Sequence, residues 1–308
     1  MPAYLEELTI RLSTGLAALP DDVRQKHATY LMSAQRPDGG FAGRDGDSDL
    51  YYTSFGLRGM AILGELDGGP AERAADFLKD RLTGRESIVD FFSLIYGATL
   101  LNVSAGIDIF ADLSTDWRAA IADLLHQLRR DDGGYAKGPE GKASSTYHTF
   151  LVMLCLEMIE SPVVEPERII EFLESQRAED GGYREIRVQK RAGTNPTAAA
   201  IGALKMLDAI TDDIREDTLD FLCETQTDEG GLRANTRIPI ADVLSTFTGV
   251  LTLIDLDGLH EIDVPHVQRF VDSLQLGTGG FHAAAWDQAH DVEYTFYGLG
   301  CLALLAQK

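Results

Sequence analysis

Between Gly181 and Thr194 the chain carries Arg184, Arg187, Lys190 and Arg191 against a single acid, Glu185. The matching stretch one repeat later, Gly230 to Ala241, holds Arg233 and Arg237, and the one before, Gly133 to Ser144, holds Lys137 and Lys142 against Glu140. These are local reversals of sign in a chain of 308 residues whose formal net charge is −22. Guanidinium forks and ammonium point charges beside helix N-termini are what a diphosphate requires on entering a poorly solvating funnel. The competing use is pairing with acids of neighbouring loops, as surface cations commonly do.

The elements that would position these cations come from an internal repeat. Gln35-Arg-Pro-Asp38-Gly39-Gly40-Phe41 returns as Asp132-Gly133-Gly134-Tyr135, Asp180-Gly181-Gly182-Tyr183, Gly230-Gly231-Leu232 and Gly279-Gly280-Phe281. The first spacing is close to double the others, so a hairpin without the glycine pair is expected between residues 65 and 110. Ala71 to Leu82 and Glu86 to Asn102 supply its two helices. Each unit reads as a mixed helix such as Arg168 to Ser175, a glycine pair acting as a helix stop, a short loop, and a helix apolar on nearly every side such as Thr246 to Ile254. Hairpins start near residues 22, 71, 117, 166, 213 and 264, after a leading helix within residues 1–20.

An all-apolar helix must be surrounded, and an open array would leave it exposed. The fold expected is therefore all-α: an α/α toroid, a six-hairpin α-α barrel with inner and outer layers and a central cavity, forming one domain over residues 1–308. Spacing from the threonine of each inner helix nominates the cavity wall: Tyr52 and Phe55, His148 and Leu151, Pro196 and Ala199, Ser245 and Gly249, Tyr294 and Tyr297. Aromatics on one side and small residues on the other suit a polyene chain, and equally a packed core.

The acidic balance argues against nucleic acid and anionic membrane as partners. No secretory signal or membrane span is read in the sequence, and the expectation is a cytoplasmic protein. Cys155, Cys223 and Cys301 are odd in number and set in apolar helical runs, as buried reduced thiols would be.

The glycine-pair turn followed by a threonine-bearing inner helix resembles the repeat of protein prenyltransferase β subunits and squalene cyclases, over about residues 20–306. Gly230-Gly-Leu232 with Asp242-Val243-Leu-Ser-Thr-Phe247, and Gly279-Gly-Phe281 with Asp291 to Leu299, resemble the zinc-bearing hairpins of protein (Rab-type) geranylgeranyltransferase β subunits. The resemblance implies an isoprenoid diphosphate in the cavity, a zinc ion activating a thiol acceptor, a peptide acceptor, and a helical-repeat α subunit as partner. It carries Asp242 over as metal ligand or thiol-orienting carboxylate. Leu244 and Tyr294 stand where the family has its Cys and His, which leaves Asp242 and Tyr294 at the catalytic positions. One carboxylate out of three ligands does not make a tetrahedral zinc site. For the diphosphate, Arg233 and Arg237 correspond approximately to the family's cations, Ser245 and Gly193 stand at its Tyr and His, and Lys190 and Arg191 are the nearby substitutes.

Substrate-binding residues are thus expected among Arg184, Arg187, Lys190, Arg191, Arg233, Arg237, His148, Tyr52 and Tyr297. Three alternatives stay open: a toroid that binds a lipid or partner without catalysis, a protonating terpene cyclase whose acid would lie in Asp45-Gly-Asp47-Ser-Asp49, and a carbohydrate-active toroid using paired acids.

Overall fold

The computed structural model describes residues 3–81, 87–113 and 116–306. After the leading helix α1 (Tyr4–Ala17) come six helical hairpins: α2 (Asp21–Ala34) with α3 (Leu50–Leu63), α4 (Gly68–Lys79) with α5 (Ile88–Ala105), and α6 (Trp117–His126) with α7 (Thr146–Met158). The others are α8 (Pro166–Gln176) with α9 (Thr194–Met206), α10 (Asp212–Cys223) with α11 (Val243–Asp255), and α12 (Val264–Ser273) with α13 (Val292–Leu305). The hairpin expected in the long spacing is α4–α5; Leu82 and Glu86, at its expected helix ends, lie outside the described residues.

Each helix pair follows from its residue pattern. In α8, Pro166 opens the first turn, and the buried residues Ile169, Phe172, Leu173 and Gln176 recur at helical spacing, leaving the acids outward. In α13, every residue but Tyr294 is buried, as an apolar helix requires. Two compact units result: residues 1–115 with 271–308 (unit 1), and residues 116–270 (unit 2). In unit 1, α13 packs on α1 and α3, and α3 on α5; in unit 2, α7, α9 and α11 pack in sequence order. Among the described residues one helix, α5, is long and apolar enough to cross a membrane, and more than half of it is buried inside the protein.

The glycine pair is not the helix stop that its composition suggests. α8 ends at Gln176, and Gly181 sits in a following turn closed by Gly181 N–H to Ala178 O and Ala178 N–H to Gly182 O. At Gly181 φ is +83°, and an added Cβ would stand 2.2 Å from the carbonyl oxygen of Asp217 on the next first-position helix, α10. Gly279 repeats the arrangement in unit 1 against Lys26 O of α2, so the last turn of the chain seats on its first hairpin. The following aromatic is buried and its N–H donates to the threonine of its own hairpin: Tyr183 to Thr197 Oγ1 at 2.8 Å, Tyr135 to Thr149 at 2.9 Å, Phe41 to Thr53 at 2.9 Å. The residues that make the repeat recognisable are therefore the ones that build it.

The stretch before α13 is a small antiparallel pair, β1 (His282–Ala284) and β2 (Asp287–His290), with part-exposed Asp287 in its second strand. Cys155 and Cys301 are buried and outside any disulfide among the described residues, whereas Cys223 is part-exposed.

Candidate functional site

Chemistry begins at the N-termini of the second helices, where the loops deliver their polar residues. Five of the six are capped by a side chain: Asp49 on α3, Ser87 on α5, Ser145 on α7, Asp242 on α11 and Asp291 on α13. Asp242 Oδ1 accepts from Ser245 N–H at 2.7 Å, and Oδ2 from the Ser245 hydroxyl at 2.8 Å. Burial pushes its pKa above the usual carboxylate range, and the cap bonds from Ser245 and Leu244 oppose the rise. Its position is the one Asp49, Ser145 and Asp291 fill, so helix capping accounts for an acid there. Leu244 offers no donor atom, and among the described residues no three His, Cys, Asp or Glu side chains converge. These residues do not fit a family-type zinc.

The sixth N-terminus differs. α9 follows Gly193, which has no side chain to cap with. Thr194 N–H goes to Ala234 O, Pro196 has none, and Asn195 N–H is without an acceptor among the described residues. This end of α9 opens on a pocket of about 410 Å³ in unit 2, lined by Glu185, Lys190, Arg191, Gly193, Asn195 and Asn235 among others. Lys190 and Arg191 are exposed, while Glu185 takes the Ser145 hydroxyl and has its pKa raised by burial. Asn195 is held by Thr248, whose hydroxyl donates to Oδ1 at 2.7 Å.

The other cations divide by use. Arg184 donates to the carbonyls of Gln176, Arg177 and Ser175 at the end of α8, the bond to Arg177 being 2.7 Å. Arg233 donates to Glu224 O at 2.8 Å after α10, and Arg130 to Gln127 O and Arg129 O after α6. Three successive repeats thus use an arginine to satisfy the orphan carbonyls of their first helix. Arg187 and Arg237 are exposed and do not line the pocket. His148, also in unit 2, has a buried Nδ1 without a hydrogen-bond partner among the described residues; burial and then Lys137 lower its pKa. Loop cations and helix ends were legible in the sequence as charge; their division between capping and pocket was not, because it depends on where each first helix stops.

Unit 1 assembles something else. Tyr51, Phe55, Phe296 and Tyr297 form a chain of edge-on and tilted contacts, with ring centroids 5.0 to 5.7 Å apart. Tyr52 meets Tyr51 edge-on at 5.3 Å, and its pKa is pushed up to about 12 by burial and the acids Asp291 and Glu293. Tyr294 accepts a hydrogen bond from Arg44, which also pairs with Asp287 at 3.1 Å. Two charged residues absent from the sequence-based expectations lie inside this cluster. Glu293, 9% exposed, accepts from the hydroxyl of Tyr51 at 2.6 Å and of Tyr297 at 3.5 Å. Burial raises its pKa and Asp291 adds to the rise, while Tyr51, Tyr297 and Arg58 pull against it. The Arg58 guanidinium lies over Phe55, Tyr96, Phe92 and Phe296, at 4.5, 4.7, 5.1 and 5.7 Å from their centroids. The signal for both was present: each is the one charge in an otherwise uncharged helix.

Residues 16–84, 86–232 and 197–308 match the family model of the prenyltransferase alpha-alpha toroid domain. The chain belongs to this family. The β subunit of protein farnesyltransferase from Pisum sativum is 24% identical over 188 residues, 59% of this chain and 44% of that protein. The corresponding subunit from Schizosaccharomyces pombe is 29% identical over 147 residues, 45% of this chain and 37% of that one. The chain thus spans less than half the length of these relatives. Among solved structures, protein geranylgeranyltransferase-I of Candida albicans complexed with GGPP superposes with a TM-score of 0.74 at 14% identity, covering 92% of this chain and 91% of that one. A type II terpene cyclase from Scytonema with bound geranylgeranyl dihydroxybenzoate gives 0.65 at 14%, covering 98% and 99%. A glycosidase gives 0.55 at 11%, covering 98% and 97%. At such identities the likeness is one of fold, and the chain is an all-α toroid of the prenyltransferase class.

Proposed function

We propose that this chain binds an isoprenoid diphosphate, and that the diphosphate sits against the N-terminus of α9 in unit 2. The observation carrying this reading is the uncapped start of α9, the one second-position helix without a side-chain cap, opening on a pocket that holds Lys190 and Arg191. A helix N-terminus with its partial positive charge, a spare N–H and two exposed cations is a site for a multivalent anion. Asn195 and Asn235 add amide donors. The reading includes a cytoplasmic setting and a helical-repeat α subunit or peptide as partners. Prenyl transfer to a thiol is not part of it, because the residues that would hold a zinc do not fit one.

Calorimetry with farnesyl and geranylgeranyl diphosphate, and with inorganic diphosphate alone, is the test. Lys190→Ala with Arg191→Ala is expected to weaken all three by about tenfold or more, and raised salt to weaken them further. Absence of heat and of thermal protection at high micromolar ligand defeats the reading.

A second reading, a protonating terpene cyclase, is favoured by one observation: Glu293 is a buried carboxyl with a raised pKa set among aromatic rings. Of the acids expected for that role, Asp45 and Asp47 are exposed and Asp49 is the cap of α3. Incubating the protein with geranylgeranyl diphosphate in deuterated water tests it: a cyclised product carrying deuterium, absent for Glu293→Gln, is the expected result, and unchanged substrate rejects it.

A further inference from the structure

The last hairpin departs from the repeat in the loop that joins its glycine turn to its second helix. In three earlier hairpins this loop closes by a single bridge, between Phe41 and Asp49, Tyr135 and Ser145, and Tyr183 and Gly193. Before α13 it forms a two-stranded sheet, the only one among the described residues. The residue after the turn's buried side chain and the residue before the cap also change. In the other glycine-turn hairpins they are Ala42 and Ser48, Ala136 and Ser144, Arg184 and Ala192, and Arg233 and Ala241. In the last hairpin both are histidine, His282 and His290. Building the hairpin does not call for them: Leu276 N–H closes the turn on Gly280 O, and Asp291 caps α13.

The strands set the two histidines directly opposite each other, with Ala284 opposite Asp287. Opposed residues share a face of the pair, as His282 and Ala284 do by alternation along β1. Asp287 and His290 are three positions apart, and the irregularity between the two pairs brings them onto that face together. The imidazole rings stand at 89° to each other with centroids 5.9 Å apart. His290 is exposed and His282 part-exposed, so the pair is reached from solvent. The Nδ1 of His282 is nonetheless shielded from water and has no hydrogen-bond partner among the described residues, a polar atom lacking what burial demands.

We propose that His282 and His290 chelate a divalent transition-metal ion of the class that imidazole favours, copper, nickel or zinc, across the two strands of unit 1. A metal–nitrogen bond of about 2.1 Å places a ring centroid roughly 3.2 Å from the ion, so two imidazoles in tetrahedral arrangement have centroids roughly 5.2 Å apart. The 5.9 Å separation closes to that value by a small rotation of either ring. Once one imidazole holds the ion the other binds it intramolecularly, which is why two points outbind a lone surface histidine. No three His, Cys, Asp or Glu side chains converge among the described residues, so the remaining coordination positions belong to water. Asp287 stays on Arg44 at 3.1 Å and acts on His282 through its charge, which favours a cation at the pair. The ion ties β1 to β2 and steadies the strand that holds Arg44 beside Tyr294. It uses none of Asp242, Leu244 and Tyr294, the positions at which the family resemblance puts zinc, and it is independent of the α9 pocket in unit 2.

Chloride salts of Cu²⁺, Ni²⁺, Zn²⁺ and Mg²⁺, titrated by calorimetry and by thermal shift into the full chain without an added histidine tag, test the proposal. One transition-metal ion per chain is expected, copper binding tighter than nickel or zinc and magnesium giving no heat, the order of an imidazole site. His282→Gln and His290→Gln are each expected to weaken binding about tenfold or more by breaking the chelate, and to leave the metal-free melting temperature near that of the wild type. His260→Gln, at an exposed histidine of unit 2, and Asp242→Asn are expected to keep the wild-type affinity. Electron paramagnetic resonance of the copper-loaded wild type is expected to show coupling to two imidazole nitrogens, and each histidine variant to one. Should a glutamine variant fail to fold, that two-nitrogen signature of the wild type decides by itself. Absence of binding to the folded wild type, magnesium binding as well as zinc, an unchanged affinity in either folded histidine variant, or an equal loss in His260→Gln or Asp242→Asn overturns the proposal. Loss of inorganic diphosphate binding, in contrast, bears on the α9 pocket alone.

Discussion

Unit 1 and unit 2 are built from the same hairpin and put their charge in opposite places. In unit 1 the second helices α3 and α13 each carry one charge, Arg58 and Glu293, inside a cluster of aromatic rings. In unit 2 the start of α9 is made of small residues, Thr194 to Ala200, and the cations stay in the loop before it. The parts that are alike, the glycine turn and the threonine that binds it, hold the hairpins together; the parts that differ include the start of α9, where the diphosphate is proposed to bind.

The largest effect that tests this division is steric. Gly279→Ala in unit 1 and Gly181→Ala in unit 2 both force a Cβ to within 2.3 Å or less of a carbonyl oxygen, at φ of +92° and +83°. Overpacking against backbone plus the left-handed penalty predicts a loss of roughly 3 to 5 kcal/mol in each unit. Gly46→Ala has a similar φ of +95° but nothing within 4 Å, so only about 1 to 2 kcal/mol is expected. Chemical denaturation measures all three. If Gly46→Ala costs as much as the others, the contact with the neighbouring hairpin is not what the turn glycine is for.

The second effect separates the units by pH. In unit 1 the turn is held by His27, which is fully buried and stacked on Phe281. Its Nδ1 accepts from Gly280 N–H at 3.0 Å, and its Nε2–H donates to Gln275 at 3.2 Å, a neutral imidazole in a defined tautomer. The corresponding turn in unit 2 uses Gln226, bonded to Gly230 O and Asp263 O, which does not titrate. Burial lowers the His27 pKa from 6.5 to about 4, overcoming the bond to Gln275, with Lys26 adding to the fall. The unfolded chain therefore takes up the proton first: the contribution is whole above pH 6.5, shrinks as pH falls from there to about 4, and is gone below. It amounts to about 3 kcal/mol. The raised acids Glu293, Glu185 and Asp242 act in the opposite sense, so the readout is the difference between wild type and His27→Gln. That difference is expected to narrow as pH falls from 6.5 to 4 and to stay constant if His27 is a bystander.

Much of this architecture was legible because it is periodic. Expected hairpin starts near 22, 71, 117, 166, 213 and 264 meet helices beginning at Asp21, Gly68, Trp117, Pro166, Asp212 and Val264, since an amphipathic period survives without knowledge of its partner. The role of the glycine pair was not legible, because its reason, a carbonyl of the next hairpin, lies some 36 residues away, as in Gly181 and Asp217. The same holds for Arg184 and Arg233, whose partners are helix-end carbonyls that no charge count reveals. Of the residues nominated for binding, only Lys190 and Arg191 line the unit 2 pocket, whereas Tyr52 and Tyr297 join the unit 1 cluster. Arg58 and Glu293 are not legible for a simpler reason. A single charge in an apolar helix leaves no cluster in the sequence, although burial makes that the costlier placement.

The smallest effect bears on Asp242, where likeness to the repeat and likeness to a family make different claims. As a cap, Asp242 is equivalent to Ser145, and Asp242→Ala and Ser145→Ala should each cost about 1 kcal/mol, with Asp242→Asn costing a few tenths because its amide oxygen still accepts from Ser245 N–H. Binding of an isoprenoid diphosphate is then expected to be the same for Asp242→Asn and wild type. As a metal or thiol-orienting carboxylate, it would show the reverse pattern: Asp242→Asn would fold with nearly native stability but lose zinc, or thiol transfer, outright. Thermal melts with elemental analysis of the same two variants decide between them, because an amide replaces a carboxylate in a helix cap and does not replace it on a metal.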